Sequence, residues 1–159
     1  MSLENVKLTA LVNGIGLLKL PLLAFCFPKV KELSEHKSVI KIRLGYRTKN
    51  HLRSMYFGAL AIGAELSVAI TAVDQIQKSK KRIDFIFKDF KAEFLKRADG
   101  HVLFICEEAG GVKQLIADAA EEEDRLEKEF RGYAVVEGRP EEKIMTYSLT
   151  LSVKKRGST

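Results

Sequence analysis

The sequence predicts an α+β fold in which an antiparallel sheet packs against one long helix. The stretch from about Tyr56 to Lys78 is rich in alanine and glycine and has the length of a single continuous helix. Strand-like segments with β-branched and aromatic residues lie on both sides of it. A second helical pattern interrupts the later strands only once, so strands and helices do not alternate as they do around a parallel sheet.

The chain has the size and composition of one folded domain. Its 159 residues are 46% hydrophobic and 30% charged, which is typical of a globular protein with a real core. We therefore expect one domain over residues 1–159, with an apolar helical extension at about residues 1–35. Within it, Leu3 to Phe27 predicts one or two short helices broken near Pro21, and Lys29 to Lys37 predicts a polar connection.

The other elements are predicted by side-chain alternation and by turn residues. They are, in order, a strand at Ser38 to Tyr46, a polar loop at Arg47 to Arg53, strands at Ile83 to Arg97 and His101 to Cys106, a helix at Val112 to Glu129 after the Gly110-Gly111 break, and strands at Tyr133 to Val136 and Ile144 to Lys154. Phe87 and Phe90 have opposite parity within one strand, which predicts a β-bulge. Asp99-Gly100 predicts a hairpin between two successive strands.

Charge and cysteine content restrict the classes of function. The formal net charge of +6 favours anionic partners such as phosphates. Cys26 and Cys106 fit no metal or redox spacing and are expected to be reduced core thiols of a cytoplasmic protein. Two apolar stretches, Leu11 to Phe27 and Ser54 to Val73, are long enough to be compared with membrane spans. Neither is expected to cross a membrane, because Lys19 and Pro21 interrupt the first and strand-like sequences follow the second.

Glu65 is the most informative residue of the chain. It is the only charge between Ser54 and Val73, in a segment that is otherwise apolar or small. A carboxylate in such surroundings is costly unless it is paired, protonated or in use, and tuned general bases are found in such places. The alternative is a glutamate that faces solvent or bonds to a neighbour.

The run Asn50-His51-Leu52-Arg53-Ser54-Met55-Tyr56-Phe57-Gly58, followed by Glu65, resembles the active-site segment of PaaI-type acyl-CoA thioesterases. That pattern has an Asn, a short loop, a His-Gly-Gly turn that opens the central helix, and an acidic residue along the helix. Asn50, Gly58 and Glu65 fall on its Asn, second Gly and acidic position without a gap. Ala92 to Ala98 resembles a strand of the same family. The resemblance covers about residues 39–155 and implies a hotdog fold, in which an antiparallel sheet wraps around a long central helix.

The resemblance also implies a reaction and an assembly. Glu65 would act as general base or nucleophile on an acyl-CoA thioester whose carbonyl is held at the helix start near Gly58, and Asn50 would orient the water or the carboxylate. The family builds this site across a homodimer, which can pair into a dimer of dimers. Tyr56 stands at the family's His, Phe57 at its first Gly, and Glu65 at a position that is usually Asp.

The remaining candidate residues are substrate contacts. Phe57, His51 and Arg53 flank the proposed site, and a basic group at Lys80, Lys81 and Arg82 could hold the phosphates of coenzyme A. The simpler interpretation of His51 is an exposed loop residue without a role, and that of Lys80, Lys81 and Arg82 is an ordinary helix terminus. We expect no metal and no cofactor, because His36 and His101 have no partners at ligand spacing.

Two other functions stay open on the sequence. A hotdog protein without catalysis could bind acyl-CoA or a fatty acyl ligand, with an acyl cavity lined in part by Leu17, Leu18, Leu22, Leu23 and Phe25. A structural or nucleic-acid-associated protein would use only the basic surface. Nucleic-acid binding is disfavoured, because the basic residues are scattered and no motif with stacking aromatics accompanies them.

Overall fold

The structure is a computed structural model that describes residues 2–157. A six-stranded antiparallel sheet packs against a long central helix, which confirms the predicted α+β hotdog fold. The elements are α1 (Leu3–Lys19), α2 (Pro21–Phe25), β1 (Lys29–Leu33), β2 (Ser38–Ile42), α3 (Phe57–Ser79), β3 (Ile83–Phe94), β4 (Val102–Cys106), α4 (Ala109–Glu121), β5 (Leu126–Val136) and β6 (Arg139–Lys155).

The strands of the sheet lie in the order β1-β2-β4-β5-β6-β3, and every neighbouring pair is antiparallel. β3 pairs with β6 on one side and forms an edge of the sheet. Its register shifts between Phe87 and Phe90, which confirms the predicted bulge. The bulge returns Phe90 to the side that Phe85 and Phe87 occupy, and all three are half-buried against the core.

The central helix α3 lies close to the sheet because small residues form its contact face. Gly63 faces the ring of Phe104 on β4, and a Cβ atom at that position would lie 2.2 Å from the ring. Ala64, the next residue, is fully buried. The helix ends before Lys80, whose left-handed backbone conformation (φ 55°) closes it. These bounds confirm the predicted central helix.

α3 is also long and apolar enough to cross a membrane by length and composition. However, 67% of its apolar window is buried inside the fold. The helix contacts β2, β4, β5 and α4, so it is the core helix of this domain.

The N-terminal extension folds into two helices, as the sequence predicts. α2 starts at Pro21, a residue whose fixed φ suits the first helical position. The two helices approach closely at Gly16 and Ala24, because a Cβ atom on Gly16 would lie only 3.0 Å from that of Ala24. α1 packs on β1 and turns Val12 towards the interior.

Two predictions about strands are wrong. Lys29–Leu33 is a strand and not a polar connection, because alternation around the buried Val30 lets it pair with β2. The Asp99-Gly100 hairpin does not form, since β5 and β6 lie between β3 and β4 in the sheet. Non-local pairing therefore overrides a local turn signal.

The predicted helix at Val112 to Glu129 is wrong in its extent. It starts at Ala109, so Gly110-Gly111 lies inside its first turn, and it ends at Glu121. The acidic run that follows separates it from β5, in which Leu126 and the fully buried Phe130 contribute to the core. Pairing with β6 stabilises residues from Leu126 onward as a strand and overrides their helical pattern.

Candidate active site

Glu65 lies on the first half of α3 and opens into a groove of about 940 Å³. α1 and α2 form one wall of the groove, α3 its floor, and the edge strand β3 the opposite wall. Most of its lining is apolar, and the side chains that define it include Val12, Ile15, Ile62, Leu66, Phe85 and Phe87. Asp89 also lines the groove, but its carboxylate accepts hydrogen bonds from the Thr150 N–H (3.0 Å) and hydroxyl (2.8 Å). The groove can therefore hold an extended apolar chain beside the Glu65 carboxylate.

The Glu65 carboxyl has no partner in this groove. Within residues 2–157, no donor hydrogen-bonds to it, and the loss of surrounding water raises its pKa above the usual range of a glutamate. The residue is exposed at the groove mouth, but apolar neighbours remove part of the water from its carboxyl. Lys88 also lines the groove, but it is paired with a different carboxylate: its Nζ lies 2.6 Å from Glu127 Oε2. A carboxylate that holds its proton more tightly is a stronger base.

The start of α3 offers backbone donors for a developing negative charge. The first intrahelical hydrogen bond runs from the Leu60 N–H to the Tyr56 carbonyl, so the N–H groups of Phe57, Gly58 and Ala59 precede the helical ladder. The positive end of the helix dipole lies at the same point. These donors make the helix start suitable for an oxyanion.

Aromatic rings cover this helix start. A Cβ atom on Gly58 would lie 2.7 Å from the Tyr56 ring, so a larger residue there would push the ring aside. Phe57 packs against Phe94 at the end of β3, with ring centroids 5.6 Å apart. The Tyr56–Gly58 contact is local in the sequence, whereas the Phe57–Phe94 contact depends on where β3 lies in the fold.

Asn50 organises the loop that leads into α3. Its Oδ1 accepts hydrogen bonds from the N–H groups of Leu52 (2.9 Å) and Ser54 (3.1 Å), and its Nδ2 donates to Ser54 Oγ (3.0 Å). All three bonds stay within residues 50–54, which is the geometry of a loop cap. In the described protomer, Asn50 therefore fixes the loop.

The structure brings Asn50, Tyr56, Phe57 and Gly58 together but leaves Glu65 apart from them. Seven residues of helix separate Gly58 from Glu65, a rise of about 10 Å. The groove lining contains Glu65 and none of the other four. A single protomer therefore supplies the carboxylate and the helix start at two separate places.

The basic candidates lie at opposite ends of α3. Lys80, Lys81 and Arg82 follow the helix C-terminus, about 22 Å of helix beyond Glu65. His51 and Arg53 are exposed in the loop before the helix. Arg97, which the sequence did not single out, donates from Nη2 to the Leu52 carbonyl (2.7 Å) and adds a cation beside that loop.

The predicted apolar lining from the extension is wrong for four of its five residues. Leu17, Leu18, Leu22 and Phe25 are exposed, and only Leu23 lines the groove. α1 has apolar residues all round its axis, so composition alone could not show which side faces the fold. β3 supplies the aromatic wall that the sequence did not assign to the groove.

Comparisons with known proteins agree with this fold. Residues 9–126 match a family model described as a domain of unknown function, DUF4442. No curated protein matches the sequence at a significant level. Among solved structures, a protein of unknown function from Chlorobaculum tepidum is similar, with 9% identity, a TM-score of 0.79, and coverage of 96% of this chain and 97% of that one.

Some of the similar structures are named as thioesterases. A Pseudomonas aeruginosa protein of unknown function, described as a probable thioesterase, has 19% identity, a TM-score of 0.73, and coverage of 93% of this chain and 96% of its own. A Haemophilus influenzae thioesterase has 15% identity, a TM-score of 0.66, and coverage of 98% of this chain and 92% of its own. At these identities the likeness shows the fold.

Proposed function

Since the chain belongs to the family described as a domain of unknown function, DUF4442, we propose its function from its site: the protein is an acyl-CoA thioesterase of the PaaI-like kind. The observation that carries the proposal is the unpartnered Glu65 carboxyl at the mouth of an apolar groove. An acyl chain fits the groove, and the carboxylate is available for chemistry at its mouth. The similar structures named as thioesterases support the same class of reaction.

The reaction needs a base and an oxyanion site. As general base, the Glu65 carboxylate takes a proton from water, and the hydroxide oxygen forms a bond to the thioester carbon. Backbone N–H groups at a helix start stabilise the oxyanion of the tetrahedral intermediate. The C–S bond then breaks, the proton moves to the sulfur of coenzyme A, and a carboxylic acid is released. As nucleophile, the Glu65 carboxylate would instead attack the thioester carbon, the C–S bond would break to release the coenzyme A thiolate, and water would hydrolyse the resulting anhydride.

A homodimer would bring the two parts of the site together. β3 is a 12-residue edge strand, and the outward side chain of Ile86 is 57% exposed on it. Such an edge favours pairing with a second strand, here the same strand of another copy. Glu65 of one protomer would then face the partner subunit's Gly58, and Asn50 would position the loop that presents that helix start. A dimer of dimers is compatible with this arrangement.

The coenzyme A phosphates would be bound by cations at the loop before α3. Arg53 and Arg97 lie there, beside His51, and Arg97 is fixed by its bond to Leu52. Lys80, Lys81 and Arg82 lie too far along α3 to serve the same protomer's helix start, so they would act only across the dimer. Cys26 and Cys106 are buried free thiols, and burial raises the pKa of Cys106 to about 11. Unreactive thiols of this kind suit the reducing cytoplasm, where we place the reaction.

Release of free thiol from a panel of acyl-CoAs tests the proposal. We expect turnover by the parent protein and a loss of about 10²–10⁴-fold in Glu65→Gln, which keeps the size of the side chain but removes the base. Glu123→Gln, an exposed glutamate outside the groove, is the matched control and should keep the parent rate. A Glu65→Gln protein that hydrolyses acyl-CoA as fast as the parent contradicts the role of Glu65.

One observation favours a second candidate function, the binding of acyl-CoA without hydrolysis. The Tyr56 ring lies against Gly58, and Tyr56 and Phe57 replace the His and the first Gly of the family pattern. If the ring stays in place, the oxyanion has no access to the helix start. Calorimetry would then show tight binding of a long-chain acyl-CoA by the parent protein, with no thiol released over the same period.

A further inference from the structure

We propose that the end of the N-terminal extension docks on the surface of an anionic lipid bilayer. The contact surface is the apolar rim, which we define as Leu17, Leu18, Leu20, Leu22, Phe25 and Phe27. Each of these six side chains is more than half exposed, with Leu18 at 86% and Leu22 at 71%. Six exposed large apolar side chains within residues 17–27 are more than a protein surface usually leaves in water.

The local fold holds the apolar rim outward. Gly16 and Ala24 bring α1 and α2 into contact, and the inward side of α1 is occupied by Leu8, Val12 and Gly16 itself. Phe27 adopts a left-handed backbone conformation (φ 50°), which is uncommon for an aromatic residue. The leucines and phenylalanines of the rim therefore face outward because the helices are packed, and not because the segment is unfolded.

Two cations lie at the apolar rim. The Arg47 guanidinium carbon lies 5.4 Å from the centroid of the Phe25 ring and 4.9 Å from that of Phe27, and Lys19 lies within the rim on the chain. In residues 2–157, neither cation forms a salt bridge. Unpaired cations beside exposed leucines and aromatic rings are the composition of an interfacial membrane contact.

Acidic residues are scarce in the surrounding sequence, where Glu32 and Glu35 separate two basic segments. Residues 5–31 contain four lysines and no acidic residue, and residues 36–64 contain six lysines or arginines and no acidic residue. The two segments meet where Arg47 covers Phe25 and Phe27. A second copy of the chain is a poorer partner, because a two-fold interface would place this positive surface against itself. Anionic lipid head groups are complementary to it.

The apolar rim continues into the groove. Lys19, Leu20 and Leu23 line the groove, while Leu18 and Leu22 lie beside them on the outer side. A protein docked through the rim would hold the groove mouth near the bilayer interface, where long-chain acyl groups partition. The docking itself does not depend on whether the groove hydrolyses a thioester.

Co-sedimentation with lipid vesicles tests the proposal. We expect the full chain to sediment with vesicles of equal parts phosphatidylcholine and phosphatidylglycerol, more weakly with pure phosphatidylcholine, and less as salt screens the charges. The double variant Leu18→Ser/Leu22→Ser should bind at least tenfold more weakly, because each leucine loses its transfer into an apolar phase. Both side chains are exposed, so unchanged circular dichroism is expected.

A charge variant gives a second, independent readout. Arg47→Glu should weaken binding to the anionic vesicles at least fivefold, since each basic residue near an anionic surface contributes about 1 kcal/mol. Lys143→Glu is its matched control, because Lys143 lies over Tyr133 (4.6 Å) away from the rim and should keep the parent affinity. Glu65→Gln should also bind like the parent, which separates docking from catalysis.

Three outcomes would overturn the proposal: a parent protein that stays in the supernatant with anionic vesicles, rim variants that bind as well as the parent, or a parent oligomer that the Leu18→Ser/Leu22→Ser change breaks into smaller species. The last result would assign the rim to contact between copies of the chain.

Discussion

The ring of Phe104 lies against Gly63, so closely that a Cβ atom on Gly63 would come within 2.2 Å of a ring carbon. This contact sets the distance between α3 and β4. It lies on α3 two residues before Glu65. It explains why the central helix has glycine where a helix would otherwise favour alanine.

Gly63→Ala should therefore destabilise the protein by about 1–3 kcal/mol, because the ring has to move or the helix has to shift. Gly14→Ala is the matched control: no atom lies within 4 Å of a Cβ there, and alanine should stabilise α1 by up to about 1 kcal/mol. Urea unfolding measures both free energies. Equal stability of Gly63→Ala and the parent would show that the ring has room to move.

The hydroxyls of Ser67 and Tyr147 form a buried hydrogen bond of 2.8 Å that joins α3 to β6. Tyr147→Phe should lower the free energy of unfolding by about 1 kcal/mol, and Ser67→Ala by a similar amount. The double variant should cost less than the sum of the two, because both changes remove the same bond. Tyr133→Phe is the control, since the Tyr133 hydroxyl bonds to Glu107 at the surface (3.0 Å). Strict additivity would contradict coupling between the two hydroxyls.

Glu65 should make stability depend on pH. Partial loss of water around its carboxyl raises the pKa in the folded protein, so folding favours the protonated form. The stability gained from protonation is present below the unfolded pKa, about 4.3, and is lost as pH rises through the higher folded value. At pH 7, Glu65→Gln should thus melt at a higher temperature than the parent, and the difference should vanish at low pH. An unchanged difference in melting temperature across this range would show that the carboxyl is fully solvated.

The free edge of β3 predicts the assembly. We expect the parent to sediment as a dimer and Ile86→Lys to shift it towards the monomer, because the new charge lies on the exposed edge strand. Leu3→Lys adds the same charge to another exposed apolar side chain, on α1, and should leave the dimer intact. A parent protein that sediments only as a single chain would rule out a site shared between subunits.

The apolar groove predicts a preference for long acyl chains. Calorimetry on Glu65→Gln, which should not consume the ligand, should show affinity rising about threefold to fourfold per methylene until the groove is filled. Phe87→Ser should weaken palmitoyl-CoA binding and leave acetyl-CoA binding unchanged, because only the longer chain reaches β3. Equal affinity for acetyl-CoA and palmitoyl-CoA in the Glu65→Gln protein would contradict an acyl groove.

Local patterns predicted the parts of the fold that depend on local physics. The composition of α3 and the parity change between Phe87 and Phe90 were sufficient for the helix and the bulge. The Asp99-Gly100 signal failed because β3 pairs with a strand far along the chain, and no local pattern contains that information. Leu126 was assigned to a helix for the same reason.

The site was predictable only in part. Glu65 stood out because a single charge in an apolar helix needs an explanation. The rotation of α1 and the position of β3 decide which apolar residues line the groove, and both are tertiary effects. Val12 and Phe85, which line it, therefore look like any other core residues in the sequence.

The strand order has a consequence for folding while the chain is being synthesised. β3 pairs only with β6, so the pair Ile83–Lys155 can form only after the last residues of β6 have been synthesised. Such long-range pairing slows folding, and a nascent chain without β6 exposes both edges of a strand that carries Phe85, Phe87 and Phe90. A chain truncated before β6 should therefore be prone to aggregation, because its aromatic strand has no partner to pair with.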